Sequence, residues 1–200
     1  MTSPPTHRLA ETRVPIHPDL AARWSPRCFD PEAVVTDEQV TALLEAARWS
    51  ATWGGRQPVR FLVGRRGDAT FDKLAGVLKR GNSYAHAAGA LILACADEGP
   101  DETTARYAAL DTGAAIAQLT LEAVSRGLIA HPMAGFHGDD ACEVFSVPEG
   151  VRPLAIVAVG TLGDYRDAPP EIAERDGLPR KRLPLEQIAF AGTWGEPARL

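Results

Sequence analysis

Two nearly continuous apolar runs constrain the fold of this chain more than any other feature. They cover residues 90–96 (ALILACA) and 154–159 (LAIVAV), and neither contains a charged residue. A run of this length without alternating polar positions is typical of a strand that is buried on both faces. The sequence therefore predicts a central β-sheet that is covered by helices.

Helical periodicity is found on both sides of these runs. Thr36 and Gln39 form a capping box at the start of a helix that the apolar spacing extends to about Ser50. Further helices are predicted over residues 68–80, 107–126 and 139–145, and another strand over residues 59–63. Strands and helices do not alternate regularly, and the phosphate-binding patterns GxGxxG and GxxxxGK[ST] are absent. The predicted class is α+β, with a central mixed or antiparallel sheet flanked by helices.

Composition narrows the functional classes. The net charge of -5 argues against a general grip on nucleic acid, and no apolar run approaches the ~18 residues of a membrane span. The N-terminus lacks the apolar stretch of a secretory signal, and the three distant cysteines predict neither a metal site nor a disulfide framework. We expect a cytoplasmic protein without a nucleic-acid or membrane partner. Residues 1–19 are predicted to form an extended arm, and residues 20–200 a single domain with a wrapping C-terminal tail.

Arginine is concentrated near the two ends of the chain. Residues 23–27 read RWSPR, and residues 180–182 read RKR. Arginine is well suited to bind phosphate, because its planar guanidinium donates two parallel hydrogen bonds. Taken alone, Arg23 and Arg27 fit a solvated helix end as well as a binding site. If the fold brings the two ends together, they predict a pocket for the phosphate of a cofactor.

The order of these segments resembles the nitroreductase family of FMN-dependent oxidoreductases. The matching features are the Arg-x-Ser-x-Arg motif, a capped helix ending in Ala-Arg, a Gln-Pro loop before a strand, a long Ala-rich helix, a Gly-Phe turn and a late basic triplet before LPLE. The resemblance covers roughly residues 20–190 and rests on order and spacing. It implies a homodimer with FMN at the subunit interface. It also implies ping-pong transfer of hydride from NADH or NADPH to a nitroaromatic, quinone or similar small acceptor.

The resemblance also assigns roles to individual residues. The first motif and the late basic pair hold the flavin phosphate and ring edge, Gln57 meets the ring from a loop, and a turn at residues 131–135 lies along it with the Gly135 amide near flavin N5. The chemistry is centred on the flavin, so no catalytic side chain and no metal are implied. The implied cofactor-binding residues are Arg23, Trp24, Ser25, Arg27, Gln57, Pro132, Met133, Ala134, Gly135, Arg180 and Arg182.

Two departures from the family pattern keep other interpretations open. Gly55 stands where members commonly have an Asn that contacts the flavin, and Ala134 replaces a Glu that some members have. One alternative is therefore a flavin-binding, sequestering or regulatory protein without general reductase activity, and another is a structural protein that uses the fold without a cofactor. Four residues could either line the site or pack in the fold: Trp53, Tyr84, His86 and His131.

Overall fold

The computed structural model describes residues 8–200, and within them four strands form one sheet between helices. The strands are β1 (Val59–Arg65), β2 (Ala90–Asp97), β3 (Ile129–Met133) and β4 (Val151–Gly160). Their order is β1-β2-β4-β3, and every neighbouring pair is antiparallel. The predicted α+β class is confirmed, and the sheet is antiparallel rather than mixed.

Six α-helices and three 3-10 helices accompany this sheet in the described residues. The α-helices are α1 (Pro18–Ala22), α2 (Asp37–Arg48), α3 (Ala69–Gly76), α4 (Glu102–Ser125), α5 (Gly138–Phe145) and α6 (Pro170–Gly177). The 3-10 helices are Trp53–Gly55, Arg80–Ala87 and Leu185–Gln187. The capping box of α2 is present as predicted, because the Thr36 side chain accepts the Gln39 amide and the Gln39 side chain accepts the Thr36 amide.

The core lies on both faces of the two apolar strands. Successive residues of β2 point to opposite faces, so Leu91 and Leu93 pack with Phe71 and Leu74 from α3, whereas Ile92 packs on the other side with α2 and α4. Each fully buried side chain of this size contributes about 1.5–3 kcal/mol. The two uninterrupted apolar runs are thus the central strands, buried on both faces as the sequence predicts.

Two helix boundaries differ from the sequence predictions by four or five residues. Helix α3 ends at Gly76 instead of continuing to residue 80, because Leu78 leaves the helix to form an isolated bridge with Phe136. Helix α4 begins at Glu102, five residues before its predicted start, because the Asp101 carboxylate accepts the amides of Thr103 and Thr104. Residues 102–106, which precede the predicted start, therefore form the first turn of this helix.

Three short elements were not predicted from the sequence. Residues 131–133, interpreted as part of a turn, instead lie in β3 and pair with β4. Helices α1 and α6 are also new, and each has a proline in its first turn, where the missing amide hydrogen is not needed.

The two ends of the described chain lie against each other. The Arg8 guanidinium donates to the carbonyls of Asp176 and Leu178, and Arg180 donates back to the Arg8 carbonyl at 2.7 Å. Residues 1–7 of the predicted arm lie outside the described residues, and the division into an arm and a domain stays a prediction. Within residues 8–200, no helix combines the length and apolar character needed to cross a membrane.

Candidate functional site

Arginines from both ends of the chain converge on one region of the surface. Arg180 lies at its centre, because its guanidinium donates to the carbonyls of Arg23 at 2.9 Å and Arg8 at 2.7 Å. Burial lowers the pKa of the Arg23 and Arg180 guanidinium groups, and the charge of Arg182 lowers both further. The structure therefore brings together Arg23, Arg180 and Arg182, and it adds Arg8. We refer to these four residues as the arginine cluster.

The arginine cluster has no acidic partner in the described part of the chain. None of the ion pairs formed by residues 8–200 includes one of its four members. Their donors are instead directed to backbone carbonyls, and Arg23 Nη1 lies 3.3 Å from Ser25 Oγ. Four neighbouring cations without a carboxylate repel one another, and a bound anion relieves that repulsion.

Arg27 belongs to the same sequence motif but has a different environment. Its Nη1 lies 2.9 Å from Asp176 Oδ1, and its backbone amide donates to Asp176 Oδ2 at 2.7 Å. The Arg27 guanidinium also lies over the Tyr84 ring, with Cζ 5.9 Å from the ring centre. Its Nε is buried and has no hydrogen-bond partner among the described residues. Arg27 thus carries a compensated charge and one unsatisfied donor.

Gly135 sits in a tight turn directly after β3. The Phe136 amide donates to the Ala134 carbonyl at 3.2 Å, which closes a turn of three residues around Gly135. Because the C=O and N–H groups of a trans peptide point in opposite directions, the Gly135 amide is directed away from this turn. It has no acceptor within residues 8–200. The amide is therefore a donor without a partner in the described chain.

The Gly135 carbonyl, unlike its amide, is fixed by hydrogen bonds within the chain. This oxygen accepts the Lys79 amide at 3.0 Å and Asn82 Nδ2 at 2.8 Å. A Cβ at position 135 would lie 2.6 Å from Asn82 Nδ2, so any larger residue would displace the Asn82 side chain from this contact. No local sequence pattern marks Asn82, because its role depends on this long-range contact.

The buried His131 and the half-buried Tyr84 form a hydrogen-bonded pair next to the RWSPR motif. His131 Nδ1 lies 3.0 Å from the Pro26 carbonyl and Nε2 lies 3.2 Å from the Tyr84 hydroxyl. Because a carbonyl only accepts, Nδ1 carries the proton and Nε2 is the acceptor. Burial lowers the pKa of His131 from 6.5 and raises the pKa of Tyr84 to about 12. The pair is consequently neutral near pH 7.

The loop before β1 is separate from these groups. Gly54 and Gly55 have φ angles of 59° and 69°, in the left-handed region that glycine adopts without strain. The Trp53 ring stacks on Tyr107 of α4, with 4.6 Å between ring centres. The Gln57 side chain is exposed, and within residues 8–200 it forms no hydrogen bond with the arginine cluster or with Gly135. Within a single chain, Gln57 is therefore not hydrogen-bonded to the arginine cluster or to Gly135.

The remaining predicted residues are divided between surface and core. Trp24 lies under the Arg8 guanidinium, with 5.0 Å between Cζ and the ring centre, and packs with a small apolar cluster. Met133 is buried in the main core, Pro132 is half-buried and Ala134 is exposed. The Met133 side chain thus packs in the interior, which leaves its backbone as the part that can contact a ligand.

A cavity of about 640 Å³ opens beside Arg27 and Tyr84. Its walls combine apolar side chains such as Phe29 and Ile172 with carboxylates such as Asp164. Neither the arginine cluster nor Gly135 contributes to its lining. This cavity is therefore a different feature from the region where the four arginines meet.

The chain matches a known protein family over most of its length. The model of the nitroreductase family matches residues 20–87 and 77–161. This chain belongs to the nitroreductase family. The resemblance drawn from the order of motifs is thus confirmed, and the matched segments include the RWSPR motif, Gln57, Tyr84, His131 and Gly135.

Several relatives of this nitroreductase-family protein cover most of its length. The uncharacterized 15.4 kDa protein in ask 5'region of Mycolicibacterium smegmatis is 67% identical over 147 residues, which are 70% of this chain and 99% of that protein. A solved oxidoreductase containing FMN is 31% identical with a TM-score of 0.85, covering 92% of this chain and 95% of that one. A protein of Exiguobacterium sibiricum solved in complex with FMN shares the fold, at 20% identity and a TM-score of 0.75 over 94% of this chain and 100% of that one.

Proposed function

We propose that this protein binds FMN and acts as an NAD(P)H-dependent oxidoreductase on a nitroaromatic, quinone or similar small acceptor. The observation that carries the proposal is the arginine cluster, which gathers four cations without an acidic partner in residues 8–200. Two solved relatives contain FMN, and they support the choice of this anion. When bound, FMN would supply the redox chemistry, taking a hydride from NADH or NADPH and delivering electrons to the acceptor in a second half-reaction.

The arginine cluster would hold the phosphate of the cofactor. Arg23 and Arg180 are partly buried and held by contacts with backbone carbonyls and Ser25, so the positions of their charges are fixed before a ligand binds. Arg182 is exposed, and its recorded hydrogen bond is to the carbonyl of Lys181, so its side chain can turn toward a ligand at little cost. Each charge-assisted hydrogen bond to the phosphate would contribute about 1.5–3 kcal/mol.

Gly135 and Arg27 would orient the flavin ring. The Gly135 amide is a donor without an acceptor in the described chain, which is the property required to donate to flavin N5. Arg27 Nε is a second donor without a partner, and it belongs to the segment that the family resemblance places at the ring edge. Because Asp176 compensates the Arg27 charge, we expect Arg27 to stabilise negative charge on the ring less than an unpaired arginine would.

We further propose that the functional unit is a homodimer. The outer face of α4 exposes Leu110 together with the small residues Gly113, Ala114 and Ala117, at the spacing of one helical face. Gln57 does not meet the arginine cluster within one chain, and a second copy could bring this loop to the site. The free cysteines Cys28, Cys95 and Cys142 support a location in the reducing cytoplasm.

Anaerobic titration of the FMN-loaded protein with NADH and with NADPH would test the activity. The expected result is loss of the flavin absorbance with at least one donor, followed by its recovery when a nitroaromatic or quinone is added. Retained FMN that neither donor reduces would contradict the reductase proposal and favour a flavin-sequestering or regulatory protein. Light scattering of the same sample would test the dimer, and a monomeric mass would contradict it.

A further inference from the structure

A chain of hydrogen bonds joins the two segments that would contact the flavin. It begins at the carbonyl of Pro26, which lies between Ser25 and Arg27, and passes to His131 Nδ1 at 3.0 Å. His131 Nε2 lies 3.2 Å from the Tyr84 hydroxyl. The chain thus starts inside the RWSPR motif and crosses from β3 to the 3-10 helix Arg80–Ala87.

The second half of the chain ends at Gly135. The Tyr84 hydroxyl lies 3.3 Å from Asn82 Oδ1, and Asn82 Nδ2 donates to the Gly135 carbonyl at 2.8 Å. Tyr84 has one proton for two acceptors, His131 Nε2 and Asn82 Oδ1, so the hydroxyl is shared between them. Four side-chain contacts therefore connect the backbone of Pro26 with the backbone of Gly135.

The environment of this chain makes its members stiff. His131 is buried, and the Tyr84 ring is stacked on Phe29 at 6.5 Å with 2° between the ring planes. The Arg27 guanidinium covers Tyr84. Because His131 is buried, an unmade hydrogen bond at its ring is costly, and this favours the orientations in which the side chains satisfy one another.

We propose that His131, Tyr84 and Asn82 are positioning residues that hold the Gly135 amide in register with the Arg23–Arg27 segment. This inference rests on the proposed FMN site, because register between these segments matters only to a ligand that contacts both. Displacement of Gly135 would weaken the hydrogen bond that its amide donates to oxidised flavin N5. In reduced flavin N5 carries a proton, so the reduced form loses less stabilisation than the oxidised form. Disruption of the hydrogen-bond chain should therefore raise the flavin midpoint potential.

The test is Tyr84→Phe, which removes the shared hydroxyl but keeps the ring. Tyr107→Phe is the matched control, since its hydroxyl makes no hydrogen bond within residues 8–200. In the protein without FMN, we expect the Lys79 amide, which donates to the Gly135 carbonyl, to exchange its hydrogen about fivefold faster in Tyr84→Phe only, as for the loss of about one hydrogen bond. In the FMN-loaded protein, we expect a weaker affinity for FMN and a higher midpoint potential in that variant.

The outcomes separate this inference from the proposed function. Equal Lys79 exchange in Tyr84→Phe and wild type would overturn the positioning role, whether or not FMN binds. Faster exchange with an unchanged midpoint potential would also overturn it, because the hydroxyl would then stabilise the fold without positioning the flavin. If the wild-type protein retained no FMN, the proposed function would fail, and the exchange measurement alone would decide whether the chain restrains Gly135.

Discussion

The carboxylate of Asp176 binds both the backbone and the side chain of Arg27. Oδ2 accepts the Arg27 amide at 2.7 Å and the Tyr165 hydroxyl at 2.8 Å, while Oδ1 lies 2.9 Å from Arg27 Nη1. Asp176 is 1% exposed and lies at the end of α6. This contact attaches α6 to the RWSPR motif and separates the compensated Arg27 from the uncompensated arginine cluster.

Replacement of Asp176 by Asn should destabilise the protein. The Asn side chain has nearly the same shape but leaves the Arg27 charge without a partner. Removal of one member of a fully buried pair costs about 3–5 kcal/mol, and we expect about 2–3 kcal/mol here because the Arg27 side chain is 23% exposed. Urea unfolding measures this change.

Tyr165→Phe is the comparison variant, because it removes one hydrogen bond to the same carboxylate but leaves the ion pair intact. It should lower the free energy of unfolding by about 1–2 kcal/mol. Equal losses in the two variants would contradict the claim that the Arg27 charge needs Asp176 as its partner.

Arg182→Ala should weaken FMN binding without destabilising the protein. Its side chain is exposed and has no acidic partner in the described chain, so the folded state loses little. Loss of one charge-assisted hydrogen bond predicts a Kd for FMN that is about 10–100 times higher, measured by fluorescence titration. Arg199→Ala, which removes the same charge from another exposed arginine, should leave the Kd nearly unchanged; a similar increase would mean that net charge alone is responsible.

Arg180→Ala should affect both binding and stability. Arg180 donates to the carbonyls of Arg8, Ala21 and Arg23. The Ala21 carbonyl also accepts the Ala10 amide, so removal of Arg180 leaves the other two carbonyls without a donor in the described chain. We expect a loss of about 1–3 kcal/mol in the free energy of unfolding as well as weaker FMN binding. Unchanged stability would show that relief of repulsion within the arginine cluster offsets the lost hydrogen bonds.

Gly135→Ala and Asn82→Ala should not have additive effects. The added Cβ meets Asn82 Nδ2 at 2.6 Å and forces this side chain away, so each variant loses the same hydrogen bond to the Gly135 carbonyl. Each single variant should lose about 1 kcal/mol in the free energy of unfolding, and the double variant should lose little more than Asn82→Ala alone. Additive losses in a double-mutant cycle would show that the contact at Asn82 does not account for the requirement for glycine.

Acid should destabilise the wild-type protein partly through His131. Burial is the largest cause that lowers the pKa of His131 from 6.5; the charges of Arg27 and Arg175 act in the same direction, while the Pro26 carbonyl and Asp176 oppose them. Because the folded pKa lies below the unfolded one, the unfolded chain binds more protons in the window below about pH 6.5. The contribution of neutral His131 to the free energy of unfolding is thus fully present above about pH 6.5, and it is lost as the pH falls toward the folded pKa.

Comparison with His131→Gln isolates this contribution. The variant lacks the titrating ring, and every other ionisable group is common to both proteins. The free energy of unfolding, measured by urea titration between about pH 5 and pH 8, should fall more steeply toward acid in the wild type. Parallel curves for the two proteins would contradict a neutral, buried His131.

The parts of the fold that were predicted correctly are those that depend on residues close together in the sequence. The strands β2 and β4 follow from their uninterrupted apolar runs, and the start of α2 follows from a capping box within four residues. From the sequence, a phosphate pocket at Arg23, Arg180 and Arg182 was predicted only if the fold brought these residues together. The structure does bring them together.

The features that were missed depend on distant pairs. Strand β3 has five residues, one of them a proline, and only its pairing with β4 identifies it as a strand. Asp176 is 149 positions from Arg27, and Asn82 is 53 positions from Gly135. Neither residue has a local pattern that distinguishes it from an ordinary helix-end or turn residue. Their roles follow from burial and hydrogen bonding, which periodicity does not determine.

We propose that the arginine cluster and Gly135 together form an FMN site. The most direct measurement is the visible absorption spectrum of the protein after incubation with excess FMN and removal of the free cofactor by desalting. We expect the wild-type protein to retain flavin absorbance at about one FMN per chain. The double variant Arg23→Ala, Arg182→Ala should lose this absorbance while its fold stays intact by circular dichroism. A colourless wild-type protein, or a double variant that retains FMN as the wild type does, would contradict an FMN site at the arginine cluster.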